Sequence, residues 1–230
     1  ACSPQTPPPV TPTAEPVVPT PAPTATQAVD ILQPGIAQRE AGNLKAAEAS
    51  LRLVVAQHPE SARARSGYAA VLMDTGVISA ALEQARAAQA LDPDERGAWS
   101  VLTRASLADG NISEALIWAE KAVQADPADG SALANLALVY LANNQFDKAR
   151  DTVEEAHQRR PDTEAVLVAL GQVHAALGDY GRAGLAFERA VASHPSSLLS
   201  ALAQAAFLAD TGKVDRARAA YTQAAGRWPD

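Results

Sequence analysis

The chain has one cysteine, Cys2, in 230 residues. No internal disulfide can form, so the fold must rest on packing alone. Methionine is equally scarce, a single Met73, and aromatic residues make up only 4% of the chain. A core here has to be built from small and aliphatic side chains. No hydrophobic run approaches the roughly 20 residues that a membrane-crossing helix requires. Nineteen basic residues stand against twenty-six acidic ones, a net charge of −7. No basic stripe stands out, which argues against nucleic acid as a partner. Catalytic signatures are also missing. There is no HExxH or CxxC spacing, no GxGxxG after a strand and no GxxxxGKS/T loop. His58 and His194 each precede a proline but lie far apart, and His157 and His174 lack the converging ligands that a zinc site needs. The expectation is a chain with no catalytic residues, no cofactor and no metal. An initiator methionine is lacking too, and a processed or trimmed form is expected.

Residues 1–29 lack any lysine or arginine, the first being Arg39. They hold nine of the sixteen prolines. Such a stretch cannot bury enough apolar surface to fold by itself. In polyproline II form, at about 3.1 Å per residue, it would reach roughly 80 to 90 Å. It reads as an extended tether or stalk. Proline with threonine also suits O-glycosylation, with Thr6, Thr11, Thr13, Thr20, Thr24 and Thr26 as candidates; an unmodified spacer is the other reading. Ala1-Cys2-Ser3 resembles the end of a bacterial lipoprotein signal, in which a small residue precedes the cysteine that becomes lipidated. That makes Cys2 a lipidation candidate and the only expected route to a membrane. Maturation of that kind cuts before the cysteine, and the retained Ala1 departs from it. The expected location is outside the cytoplasm, as a cell-envelope lipoprotein or at the extracellular surface.

The rest of the chain is periodic. Pro59, Pro93, Pro127, Pro161, Pro195 and Pro229 are spaced 34 residues apart. Gly42, Gly76, Gly110, Gly178 and Gly212 keep the same period, with Asn144 at the one gap, the next most tolerant residue for a left-handed turn. Ala47, Ala81, Ala115, Ala149, Ala183 and Ala217 form a third register. Residues 62–95 show what each unit is. Arg65, Tyr68, Ala69 and Leu72 share one helical face, Gly76 ends that helix, Ala81, Ala85 and Ala88 share a face of the next, and Pro93 stops it. Helix pairs are predicted at 62–75 with 78–91, 96–109 with 112–125, 130–143 with 146–159, 164–177 with 180–193, and 198–211 with 214–227. The first unit is degenerate: Pro34 lies where an interior helical residue belongs, which predicts a shortened helix starting near Gln33. Asn111-Ile112-Ser113 fits a glycosylation sequon, and equally a helix start with Glu114 in its first turn.

Pieces of one pattern are scattered over these copies. Trp99 and Leu102 fit its opening, Leu170-Gly171 its middle, Tyr140 its aromatic place, and Ala183, Phe187, Ala190 and Pro195 its second helix. The chain thereby resembles the tetratricopeptide repeat family. The resemblance implies an all-α, right-handed superhelical solenoid of six repeats, at about 28–61, 62–95, 96–129, 130–163, 164–197 and 198–230, in a domain 30–230. It also implies a concave groove lined by the first helix of each repeat. Carried across, the groove positions are Leu32 and Ile36, Ala70 and Met73, Val101, Arg104 and Leu107, Asn135, Leu138 and Leu141, Val168, Gln172 and Ala175, and Leu199, Leu202 and Ala206, with Arg39 and Arg63 as further basic members. The clamp that some members use for acidic tails needs several lysines, arginines and asparagines; Asn135 alone matches it. The groove reads as apolar and shallow, suited to an extended apolar or proline-rich segment. The function implied is a non-catalytic protein-interaction scaffold that binds a protein or peptide. The alternative is a filament subunit binding copies of itself head to tail, since no capping element follows Pro229.

Overall fold

The computed structural model describes residues 25–227. Cys2, Thr6, Thr11, Thr13, Thr20 and Thr24 lie outside the described residues, and Thr26 falls in the first helix. Twelve helices and no strand occur among the described residues, paired as six hairpins. The first helices are α1 (Ala25–Glu40), α3 (Ala62–Asp74), α5 (Arg96–Ala108), α7 (Gly130–Ala142), α9 (Glu164–Ala176) and α11 (Leu198–Asp210). Their partners are α2 (Leu44–Gln57), α4 (Ile78–Leu91), α6 (Ile112–Ala125), α8 (Phe146–Arg159), α10 (Tyr180–Ser193) and α12 (Val214–Arg227). Each hairpin packs on the next, which makes the chain an all-α solenoid.

Two backbone devices set the period. Within a hairpin, the turn residue has positive φ, as at Gly76 (+78°). The Val77 amide then reaches back to the Leu72 carbonyl at 2.8 Å and the Gly76 amide to Met73 at 3.3 Å, the paired bonds of a Schellman stop. Asn144 does the same work at φ +57°. Between hairpins, proline occupies the second place of a turn closed by a bond such as Ser61 amide to His58 carbonyl, 3.1 Å. The residue that closes the turn then caps the next helix: Ser61, Glu95, Asp129 and Ser197 each accept an amide hydrogen bond through the side chain.

The alanine register is the seam of every hairpin. Ala47, Ala81, Ala115, Ala149 and Ala183 are fully buried, and Ala217 nearly so. Small side chains bring the helix axes close, and the space beside them is filled differently from repeat to repeat. In two hairpins a large side chain on the second helix faces a glycine on the first. A Cβ at Gly35 would lie 2.6 Å from Leu51 Cγ, and one at Gly171 would lie 2.6 Å from Phe187 Cζ. Where the second helix carries Ala85, the facing residue is Ala69.

Helix α1 differs from expectation. It starts at Ala25, not near Gln33, and runs through Pro34. Proline removes one hydrogen bond and crowds the preceding turn. Pro34 is on the exposed side, however, while Leu32 is buried against Leu51, Val54 and Ala64 on the other. Tertiary packing of one face outweighs the local penalty.

Candidate peptide groove

The first helices line one continuous groove of about 740 Å³. It runs from the C-terminal ends of α1 and α3, across the middle of α5 and α7, to the N-terminal ends of α9 and α11 and the turn 193–197 before α11. Of the expected groove residues, Met73, Arg104, Asn135, Leu138 and Leu202 line it, as do Arg39, Val168, Gln172 and Leu199. Ile36, Ala70, Leu107 and Leu141 lie outside that lining; each is half-buried and packs against a hydrophobic cluster between helices, as Met73 and Leu138 also do. Leu32 and Val101 are fully in the core. Ala175 packs beside Phe187 and Phe207, and Arg63 and Ala206 are exposed but off the groove lining.

Several lining residues were not anticipated, among them Asp74, Ser100, Ser131 and Glu164. They build a polar ladder between repeats. Arg39 Nε donates to Asp74 Oδ2 at 2.6 Å, and Arg104 Nη2 donates to Asp74 Oδ1 at 3.2 Å. One carboxylate on α3 thus binds guanidinium groups from α1 and α5. Asn135 Nδ2 donates to Ser100 Oγ at 3.2 Å, linking α7 to α5. Ser200 Oγ donates to Glu164 Oε1 at 2.7 Å, linking α11 to α9. Only part of this set was legible from the period. Ser100 and Ser131 sit in the registers of Leu202 and Leu199, whereas Asp74 and Glu164 share none with an expected groove position.

The other strong electrostatic feature lies away from the groove. Asn111 caps α6, its Oδ1 accepting the Glu114 amide at 3.2 Å while its Nδ2 donates to Glu114 Oε2 at 3.0 Å. Arg86 of α4 donates to both Glu114 oxygens, at 3.2 and 3.3 Å. Desolvation, the largest single influence, pushes the Glu114 carboxyl up, but the Arg86 guanidinium together with smaller contributions from Trp118 and Ser106 holds the group below the ordinary carboxylate value.

Among the described residues no group of His, Cys, Asp and Glu is placed to hold a metal ion, and no helix is long and apolar enough to cross a membrane. What the groove offers is a long, open surface with alternating aliphatic and hydrogen-bonding side chains. That chemistry suits the side chains and backbone of an extended polypeptide.

Two family profiles, each described as tetratricopeptide repeat, match the chain, one over residues 38–105 and one over residues 134–197, together more than half of it. Among solved structures the chain is similar to TTC0263, a thermophilic TPR protein in Thermus thermophilus. That likeness has 22% identity and a TM-score of 0.63, covering 74% of this chain and 93% of that one. It is also similar to pilF of Pseudomonas aeruginosa, at 20% identity and a TM-score of 0.56, covering 88% of this chain and 92% of that one. At such identities the likeness speaks for the fold alone. No curated protein matches the sequence. The paired helices, the 34-residue period and both profile matches agree, and the chain belongs to the tetratricopeptide repeat family.

Proposed function

We propose that this protein is a non-catalytic scaffold that holds an extended segment of a partner protein along its concave groove, outside the cytoplasm. Tetratricopeptide repeats generally mediate protein–protein interaction, and the reading for this chain narrows that role to one surface. The observation that carries it is the groove itself. A single open channel touches all six hairpins, and its lining sets Leu138, Leu199 and Leu202 beside the exposed Gln172. Aliphatic side chains reward burial of apolar partner groups at about 25 cal/mol per Å². Amide side chains satisfy the backbone of a strand that has no sheet to join. The extracellular location rests on the composition of residues 1–29 and on Cys2 next to Ala1.

A photo-crosslinking residue placed at Leu138 tests the reading in the native host, with the same residue at Leu53 on the exposed face of α2 as control. The expected outcome is capture of one short segment of one partner at Leu138 and not at Leu53, mapped by mass spectrometry. Equal capture at both sites, or capture at Leu53 alone, contradicts it.

A further inference from the structure

We infer that Asp74 is an ionic lock on the shape of the solenoid: its carboxylate fixes the spacing of the first three hairpins along the concave side. The inference concerns shape and holds whatever occupies the groove.

Three residues that break the habit of their registers meet at one point. The places equivalent to Arg39 in α3, α5 and α7 hold Met73, Leu107 and Leu141, each half-buried against an apolar cluster between helices. The places equivalent to Arg104 in α1, α3 and α7 hold Ile36, Ala70 and Leu138, packed in the same manner. The places equivalent to Asp74 in α5, α7 and α9 are all alanine. Where the charged residues do occur, they converge from three successive hairpins. Asp74 Oδ2 accepts from Arg39 Nε of α1 at 2.6 Å, and Asp74 Oδ1 accepts from Arg104 Nη2 of α5 at 3.2 Å. Each carboxylate oxygen thus holds a different neighbour.

Two guanidinium groups share one carboxylate, so the cluster is net positive. Asp74 is what allows the two cations to stay close. The Asp74 side chain is 19% exposed and that of Arg104 26%, so the cluster is partly withdrawn from water. Like charges repel more strongly there than in bulk solvent. Removing one member of a desolvated ionic set leaves the others uncompensated. Without Asp74, Arg39 and Arg104 lose an acceptor and repel each other across α3.

The curvature of a solenoid is the sum of small rotations between neighbouring hairpins. Leu107 and Leu141 hold the later hairpins on this side through apolar contact, which does not depend on charge. The first three are held here by ions. Loss of the Asp74 charge therefore moves α1 and α5 apart and leaves the later hairpins in place.

Spin labels on introduced cysteines read this in the full chain carrying Cys2→Ser. Glu40, Ala108 and Ala176 are exposed, end their helices and share the register of Asp74. Glu40→Cys with Ala108→Cys spans the lock. Ala108→Cys with Ala176→Cys spans the same number of hairpins in the apolar half and is the control. Pulsed electron–electron double resonance gives both distances. Asp74→Asn is expected to lengthen the first by about 1 to 2 Å, the scale of shifts between packed helices, and to broaden it, with the control unchanged. In Arg39→Gln/Asp74→Asn/Arg104→Gln no charge is left to repel, and the first distance is expected to return most of the way. Circular dichroism and a thermal melt establish that each variant is folded. Should Asp74→Asn not fold, Arg104→Gln serves instead: it keeps the Arg39 bond, releases α5 and is expected to broaden the first distribution. An unchanged first distance in folded Asp74→Asn, an equal change in the control, a triple variant displaced as far as Asp74→Asn, or no broadening in folded Arg104→Gln overturns the lock.

Discussion

Repeats 2 and 5 fill the same hairpin with opposite materials. In repeat 2 the seam is alanine on alanine: Ala69 on α3 faces Ala81 and Ala85 on α4, all fully buried. In repeat 5 the matching places hold nothing on one side and a ring on the other. Gly171 of α9 leaves room for Phe187 of α10, which stacks on Phe207 of α11 at 5.2 Å between ring centroids. The helices and turns around the two solutions are alike, down to a glycine at φ +78° in each. The hairpin accepts either filling, although a glycine and a phenylalanine occupy more space than two alanines. The aromatic solution reaches the next repeat through Phe207, as the alanine seam does through Val101 and Leu102. Repeat 5 therefore concentrates in one side chain what repeat 2 spreads over several.

The largest effect follows from that concentration. Phe187→Ala should cost about 3 to 5 kcal/mol by the usual loss on emptying a buried aromatic site. Removing one methyl in repeat 2, Ala85→Gly, should cost about 1 kcal/mol. Urea unfolding followed by helical circular dichroism compares them, and similar costs would break the contrast.

A sharper version exchanges the two solutions. Gly171→Ala alone places a Cβ against the Phe187 ring and should cost about 1 to 3 kcal/mol through overpacking. Combined with Phe187→Ala it rebuilds the repeat 2 pattern, so the double variant should be more stable than the two single costs predict. Strict additivity in the same unfolding measurement would show that the two positions do not compensate each other.

The turns should not share the difference. Gly76→Ala and Gly178→Ala each force a left-handed backbone on alanine, and each should cost about 1 kcal/mol. Unequal costs in thermal melts would mean that the hairpins differ beyond their seams.

The smallest effect is a pH dependence. The Glu114 carboxyl is held below its ordinary value, by Arg86 against the opposing pull of desolvation. A depressed carboxylate contributes stability that is present above its unfolded value and is lost as pH falls through the folded one. With Arg86 60% exposed, solvent screening reduces the contribution to about half a kcal/mol. Glu114→Gln should flatten the stability profile by that amount below the ordinary carboxylate range, measured by denaturant midpoints across acidic pH.

The features that repeat were legible because their causes are local. Proline, glycine and the capping residue act within a few positions, so the boundaries of α3 to α12 fall within a residue of those predicted from spacing. The start of α1 was not legible, since Leu32 answers to side chains on α2 and α3. The groove divides the same way. Register alone placed Leu138 and Leu202 on its lining. It did not separate them from Leu107 and Leu141, which lie outside the lining although Leu141 packs against the same cluster as Leu138. The Asp74 ion pairs depend on side chains 35 and 30 residues away, and that distance hides them from any reading by period.

The central claim is that the concave face, and not the outer one, is where another polypeptide is held. The most direct measurement is the affinity of an extended apolar peptide for Leu138→Gln and for Ile117→Gln, the latter on the exposed face of α6. The account predicts a loss of about tenfold or more at Leu138 and none at Ile117. Loss at Ile117 with Leu138→Gln unaffected would contradict it.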